Sequence, residues 1–146
     1  MRIAGTIKHS YNNGDGIRFV VFTQGCKHHC KGCQNPDTWD FNGGEEIAVE
    51  DLADEIKATR FLDGVTLSGG DPYYQYQECI KLLQLLPKKY NIWIYTGFEW
   101  NEIKDNPLTA LADVVVTGQF IEKLKCKDKM YGSSNQEIHY VKEELK

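Results

Sequence analysis

The stretch Arg18-Phe19-Val20-Val21-Phe22-Thr23 runs through Gln24 into Gly25-Cys26-Lys27-His28-His29-Cys30-Lys31-Gly32-Cys33. A short apolar run that ends in a three-cysteine loop reads as a buried strand delivering a ligand-bearing turn. The spacing is C-x-x-x-C-x-x-C, and three thiolates so placed can hold three corners of a cubane iron–sulfur cluster. The ordinary electron-transfer cluster takes four cysteine ligands, yet Cys79 and Cys126 lie far away in different contexts. One iron would then keep an open coordination position, and an open iron is a place for chemistry. Structural zinc is the main competing reading, because Cys30-x-x-Cys33 alone suits a zinc knuckle. Zinc needs a fourth ligand, however, and His28 or His29 sits too close to two cysteines to close a tetrahedron comfortably. Both histidines read as loop residues that tune the surroundings. A disulfide framework fits poorly, since three of the five cysteines crowd into residues 26–33.

Working outward, apolar runs alternate with amphipathic ones. Gly64 to Ser68, Ile92 to Tyr95 and Asp113 to Val116 read as further buried strands. Val49, Leu52, Ala53 and Ile56 recur at helical spacing, behind Glu50 and Asp51 in a first turn where the helix dipole favours acids. Tyr76, Cys79, Ile80, Leu83 and Leu86 mark a second helix face, stopped by Pro87. Continuous apolar strands separated by such helices predict a mainly parallel sheet with crossover helices, an α/β fold. Small or polar residues follow each strand: the cysteine loop, Gly69-Gly70-Asp71-Pro72, Thr96-Gly97 and Thr117-Gly118-Gln119. Ligands of α/β sheets bind at the carboxyl ends of the strands, so one site is expected along that edge.

The frame is consistent with one domain over residues 1–146, short for a closed eight-fold barrel of about 250 residues. A net charge of −4 gives no general attraction to nucleic acid or acidic membranes. No apolar run approaches a membrane span and no N-terminal targeting segment is evident. Free cysteines at this density belong in a reducing cytoplasm.

The cysteine triplet, Ser68-Gly69-Gly70-Asp71-Pro72 and the strand order resemble the radical S-adenosylmethionine superfamily. More narrowly, Gly25-Cys26 through Asn35-Pro36-Asp37-Thr38-Trp39 resembles the activases of glycyl radical enzymes. Gly32 before the third cysteine, Trp93-Ile94-Tyr95-Thr96-Gly97 and Gly132-Ser133-Ser134-Asn135-Gln136 resemble the branch that serves anaerobic ribonucleotide reductase. Two positions depart from that pattern: Asp15 stands where activases usually have proline, and Thr117 where many of the branch have aspartate.

The resemblance implies an open, truncated, partial (β/α) barrel. It implies a 4Fe–4S cluster on Cys26, Cys30 and Cys33, whose open iron chelates the amino and carboxylate groups of S-adenosylmethionine. One-electron reduction would break the sulfonium carbon–sulfur bond and leave a 5′-deoxyadenosyl radical. Gly32 and Gln34, flanking the Cys33 thiolate in the cofactor site, would lie against the adenine, and Gly69 and Gly70 would admit the methionine moiety. Asp71 would meet its ammonium, and Thr96 its ribose or carboxylate. The protein substrate implied is anaerobic ribonucleoside-triphosphate reductase, attacked at a glycine Cα–H. A low-potential donor such as flavodoxin would supply the electron. An activase of another glycyl radical enzyme, such as pyruvate formate-lyase, is the nearest rival. Asp37-Thr38-Trp39-Asp40 and Gly43-Gly44 suit that rival, while the short chain disfavours it. A zinc-stabilised binding module is the non-enzymatic alternative.

Other conspicuous residues take plainer readings. Trp39 and Trp93 read as core packing rather than cofactor stacking, and Cys79 as buried filler. Cys126, in the locally basic run Glu122 to Lys129, is the spare thiol most open to reaction. The tail from Gly132 to Lys146, with Ile138, Tyr140 and Val141 offering a short strand, is a candidate docking element for the protein substrate. Truncation before Gly132 is expected to spare the cluster and abolish radical transfer.

Overall fold

Strands without a polar face need cover on both sides, and a parallel arrangement supplies it through crossover helices. The computed structural model describes residues 1–25, 43–118 and 136–144. Cys26, Cys30, Cys33, Gly32, Gln34, Trp39, Cys126 and the Gly132–Asn135 part of the tail lie outside the described residues. The elements are β1 (Arg2–Ser10), β2 (Arg18–Thr23), β3 (Glu45–Glu46), α1 (Val49–Ala58), β4 (Gly64–Gly69), α2 (Tyr76–Gln84), β5 (Asn91–Tyr95), α3 (Trp100–Ile103), β6 (Val114–Thr117), β7 (Glu137–Tyr140) and α4 (Val141–Glu144). Short 3₁₀ turns at Pro72–Gln75 and Thr109–Leu111 precede α2 and β6.

These strands form one open sheet in the order β3-β1-β2-β4-β5-β6-β7. The four strands expected from the sequence, β2, β4, β5 and β6, pair in parallel at its centre. They are flanked by antiparallel strands: β1 and β3 on one side, β7 on the other. The sheet is therefore mixed, with a parallel centre. Strand β1 was not expected, because its burial follows no two-residue alternation and its pairing with β2 is interrupted twice by register shifts. The short strand expected around Ile138 and Tyr140 does form, but it pairs with β6 and so completes this chain's own sheet.

Successive residues of a strand face opposite sides, and the two sides are covered differently. Helices α1 and α2 lie on one face, packing Leu52, Ala53, Ile56, Cys79 and Leu82 against Val21, Leu67, Ile94 and Val115. Full burial of a leucine such as Leu52 or Leu82 is worth about 1.5–3 kcal/mol. Helix α2 ends at Gln84, ahead of Pro87, which cannot continue it. The opposite face carries Trp93, Val114 and Val116 with Tyr95 and Ile138 against them. Trp93 is thus packed in a core, and Cys79 is fully buried on the helix side, where burial pushes its thiol pKa far up. None of the helices among the described residues is long and apolar enough to cross a membrane.

Candidate functional site

The parallel strands all point the same way, so their carboxyl ends make one rim. That rim is laced by hydrogen bonds from strand to strand. The Gly70 N–H donates to the Thr23 carbonyl (2.8 Å) and the Asp71 N–H to the Gly25 carbonyl (3.0 Å), tying the end of β4 to the end of β2. The Asp71 carboxylate then reaches the end of β5. It accepts from the Thr96 hydroxyl (2.8 Å), the Gly97 N–H (2.9 Å) and, closer by, the Tyr73 N–H (3.1 Å). Asp71 is fully buried, and a buried carboxylate demands this kind of satisfaction. Thr96 in turn accepts from the Phe98 N–H (3.1 Å). The Gly118 N–H donates to the Phe98 carbonyl (2.9 Å), and the Gln136 amide donates to the Gly118 carbonyl (2.9 Å), which carries the lacing to β6 and β7.

Glycine is needed here for fit within the protein. Gly69 has φ of +100°, and a Cβ there would run into the Thr23 backbone. Thr117, at the end of β6, lies 3.1 Å through its hydroxyl from His139, which is stacked on Trp100 at 4.4 Å between ring centroids.

The segment that carries Cys26, Cys30 and Cys33 leaves the sheet at Gly25, on this rim, and returns at Gly43. Gly25 is buried with φ of +112°, and its carbonyl is the one held by Asp71. At the return, the Gly43 carbonyl accepts from both the Nε (3.1 Å) and an Nη (2.9 Å) of Arg2. Gly44 follows with φ of +71°, and a Cβ there would collide with the Ile3 carbonyl. Of the residues expected at the site, Gly69, Gly70, Asp71 and Thr96 are thus brought together on one rim. Gly32, Cys33 and Gln34 belong to the segment rooted there, outside the described residues. No group of three or more His, Cys, Asp or Glu side chains among the described residues is placed to hold a metal ion.

The opposite, amino edge is built around Arg18. Its guanidinium is fully buried and, among the described residues, donates to uncharged acceptors: Thr66 Oγ1 (2.7 Å), the Asp15 carbonyl (2.7 Å), Asn91 Oδ1 (3.2 Å), the Val65 carbonyl (3.0 Å) and the Asn91 carbonyl (2.5 Å). Its charge also lies 5.6 Å from the Trp93 ring centroid. Burial lowers its pKa to about 10, with Tyr95 and nearby aspartates opposing the shift, so it stays charged at neutral pH. A cleft of about 490 Å³, lined among others by Asp15, Arg18, Asp113 and Tyr140, opens beside it. Asp15 therefore stands at the end of β2 remote from the rim, roughly 15–20 Å away for a strand of this length.

Three residues that sequence reasoning missed join the rim: Arg2, Gln24 and Gln75. No motif marks them, since a glutamine in a turn and an arginine near a terminus carry no spacing signal.

A three-thiol segment rooted on a glycine-lined strand edge fits a metal-binding protein of the α/β class. A family model described as a 4Fe-4S single cluster domain matches residues 12–139. Three curated relatives named anaerobic ribonucleoside-triphosphate reductase-activating protein are similar to this chain over most of their length. That of Escherichia coli strain K12 is 36% identical over 143 residues, covering 89% of this chain and 92% of its own. That of phage T4 is 33% identical over 134 residues, covering 86% and 85%. That of Vibrio cholerae is 36% identical over 140 residues, covering 87% and 90%. The chain belongs to this family of activating proteins, and a single 4Fe–4S cluster is its metal cofactor.

Proposed function

We propose that this chain is a one-domain, cytoplasmic radical S-adenosylmethionine enzyme that installs the glycyl radical on anaerobic ribonucleoside-triphosphate reductase. The reading rests on family membership together with one observation. The only segment with three closely spaced cysteines is rooted in the rim where all four parallel strands end. The sheet is read as the open, truncated (β/α) barrel of that superfamily, its Trp93 face turned to the substrate. When bound, the cluster and S-adenosylmethionine would supply reductive cleavage of a sulfonium bond and a hydrogen-abstracting radical at C5′.

The residues' own tasks follow from chemistry. Cys26, Cys30 and Cys33 are the thiolate ligands, and the absence of a fourth leaves the open iron. Gly32 and Gln34, on either side of Cys33, line the adenine side, and Gly69 and Gly70 offer a backbone that a ligand can approach closely. Asp71 and Thr96 complete the cofactor site. With oxygens already engaged by Thr96, Gly97 and Tyr73, the Asp71 carboxylate acts chiefly by fixing the rim on which the cofactor rests. A low-potential donor of the flavodoxin kind delivers the electron, nucleic acid is not a partner, and the tail beyond Gly132 contributes to reductase docking.

Anaerobic incubation of the reduced protein with S-adenosylmethionine and the reductase should give a glycyl radical in electron paramagnetic resonance. Alanine at Cys26, Cys30 or Cys33 should abolish both that signal and the bound iron. Full iron content in Cys30→Ala would overturn the ligand assignment, and zinc in place of iron would overturn the function.

A further inference from the structure

One short stretch, Asp71–Gln75, holds the outgoing end of the cysteine-bearing segment directly and reaches the returning end through Arg2. Asp71 holds the Gly25 carbonyl through its N–H, as described above. Gln75 holds the rest through its side-chain amide. Its Oε1 accepts from the Arg2 N–H (2.8 Å) while its Nε2 donates to the Arg2 carbonyl (2.8 Å), the two-bond pattern by which a neighbouring strand would pair. The second Nε2 hydrogen points to the Gln24 carbonyl at 3.1 Å, immediately before Gly25. Arg2, so fixed, places its guanidinium on the Gly43 carbonyl at the other root. The Gln24 N–H also donates to the Arg2 carbonyl (3.1 Å), closing the ring of contacts. One amide therefore spans the neck of the segment, with both donors and its acceptor in use.

We infer that Gln75, acting through Arg2, is a positioning residue that holds the two roots of the cysteine segment together and so governs how firmly the cluster is retained. The inference rests on the cluster reading above. A loop whose ends are held at a set separation has already lost the closure entropy that three ligands would otherwise have to overcome. Ligands arranged in advance bind metal more tightly, and outer partners of ligand-bearing groups typically change affinity about 10–100-fold. The amide cannot be turned round, because its oxygen would then face the carbonyls of Arg2 and Gln24. This asymmetry gives the role a signature. Glutamate has the shape of glutamine but sets a carboxylate against those two carbonyls, whereas methionine fills the space and merely omits the bonds.

The test uses the anaerobically prepared holoprotein and follows iron transfer to excess chelator by absorbance. Gln75→Glu is expected to release iron about tenfold faster than the parent chain, with Gln75→Met between them. Arg2→Met, which frees Gly43 without touching Gln75, should also accelerate release. Gln84→Ala, on the exposed side of α2, should match the parent. Thermal unfolding of each holoprotein, run in parallel, registers any general loss of folding. Release at the parental rate in Gln75→Glu would overturn the inference, as would equal acceleration in Gln75→Glu and Gln84→Ala. A role in packing alone would make Gln75→Glu and Gln75→Met alike, which also overturns it. A parent chain that holds no iron would defeat the cluster reading itself, and the inference with it.

Discussion

The two ends of the same four parallel strands each bury a charged side chain, and they satisfy it in opposite ways. At the amino edge Arg18 gives its hydrogens to carbonyls, an amide oxygen and a hydroxyl, with no ion pair among the described residues. Glycines make room for it: a Cβ at Gly64 would meet the Asn91 carbonyl and the guanidinium, and one at Gly14 would press on Arg18 and Trp93. At the carboxyl edge Asp71 collects N–H and O–H donors from the end of β5 and from the turn that follows its own strand. The cation closes one end of the sheet, and the anion ties together the end where the cysteine segment is rooted. Burying a charge is costly unless every hydrogen-bonding position is used. The difference teaches that similar burial can serve stability at one edge and the geometry of a site at the other.

The comparison breaks if both edges respond alike to substitution. Arg18→Met is expected to have the largest effect on stability, roughly 3 kcal/mol, because several buried acceptors lose their donors at once. Denaturant titration of the apoprotein measures it, while cleavage of S-adenosylmethionine by holoprotein kept well below its transition should stay near the parental rate. Asp71→Asn should cost less, about 1–2 kcal/mol, since one oxygen is kept. Here, however, 5′-deoxyadenosine formation should fall as well, because the shift falls on the rim proposed to hold the cofactor. Normal cleavage in Asp71→Asn, or lost cleavage in Arg18→Met, would dissolve the contrast. The smallest effect is expected at Cys79. A thiol ordinarily ionises near pH 9, but burial pushes this one far higher, so it stays protonated and closed to reagents. Iodoacetamide should leave Cys79 unlabelled from pH 7 to 9 in the folded protein, as peptide mass mapping would register.

Much of this architecture is legible in the residues. The central strands announce themselves because unbroken apolar runs have few alternatives in a chain of this size. The Val49, Leu52, Ala53 and Ile56 stripe is buried in α1 as its spacing implies. Strand β1 is not legible, because Lys8 and His9 interrupt it, bulges break its register, and its pairing comes from a partner distant in sequence. The tail strand is legible as a strand but not as a member of this sheet. Its antiparallel pairing with β6 depends on where the chain returns, which no local pattern encodes. Because that pairing is internal, truncation before Gly132 should lower stability in addition to any effect on the reductase. At the rim, Gly69, Gly70, Asp71 and Thr96 are recognisable because they follow strands. Arg2 and Gln75 are not, since their importance arises from contact between residues far apart in the chain.

Gly25 and Gly44 bring one more consequence. Each adopts a backbone angle that side chains rarely tolerate, and each stands directly against a fixed part of the sheet. The roots of the cysteine segment are thus properties of the scaffold, not of the segment. On the proposed three-thiolate reading, a graft of equal length with a fourth cysteine should leave the sheet's stability unchanged and close the iron's open position. The same two roots would then serve electron storage in place of the proposed reaction.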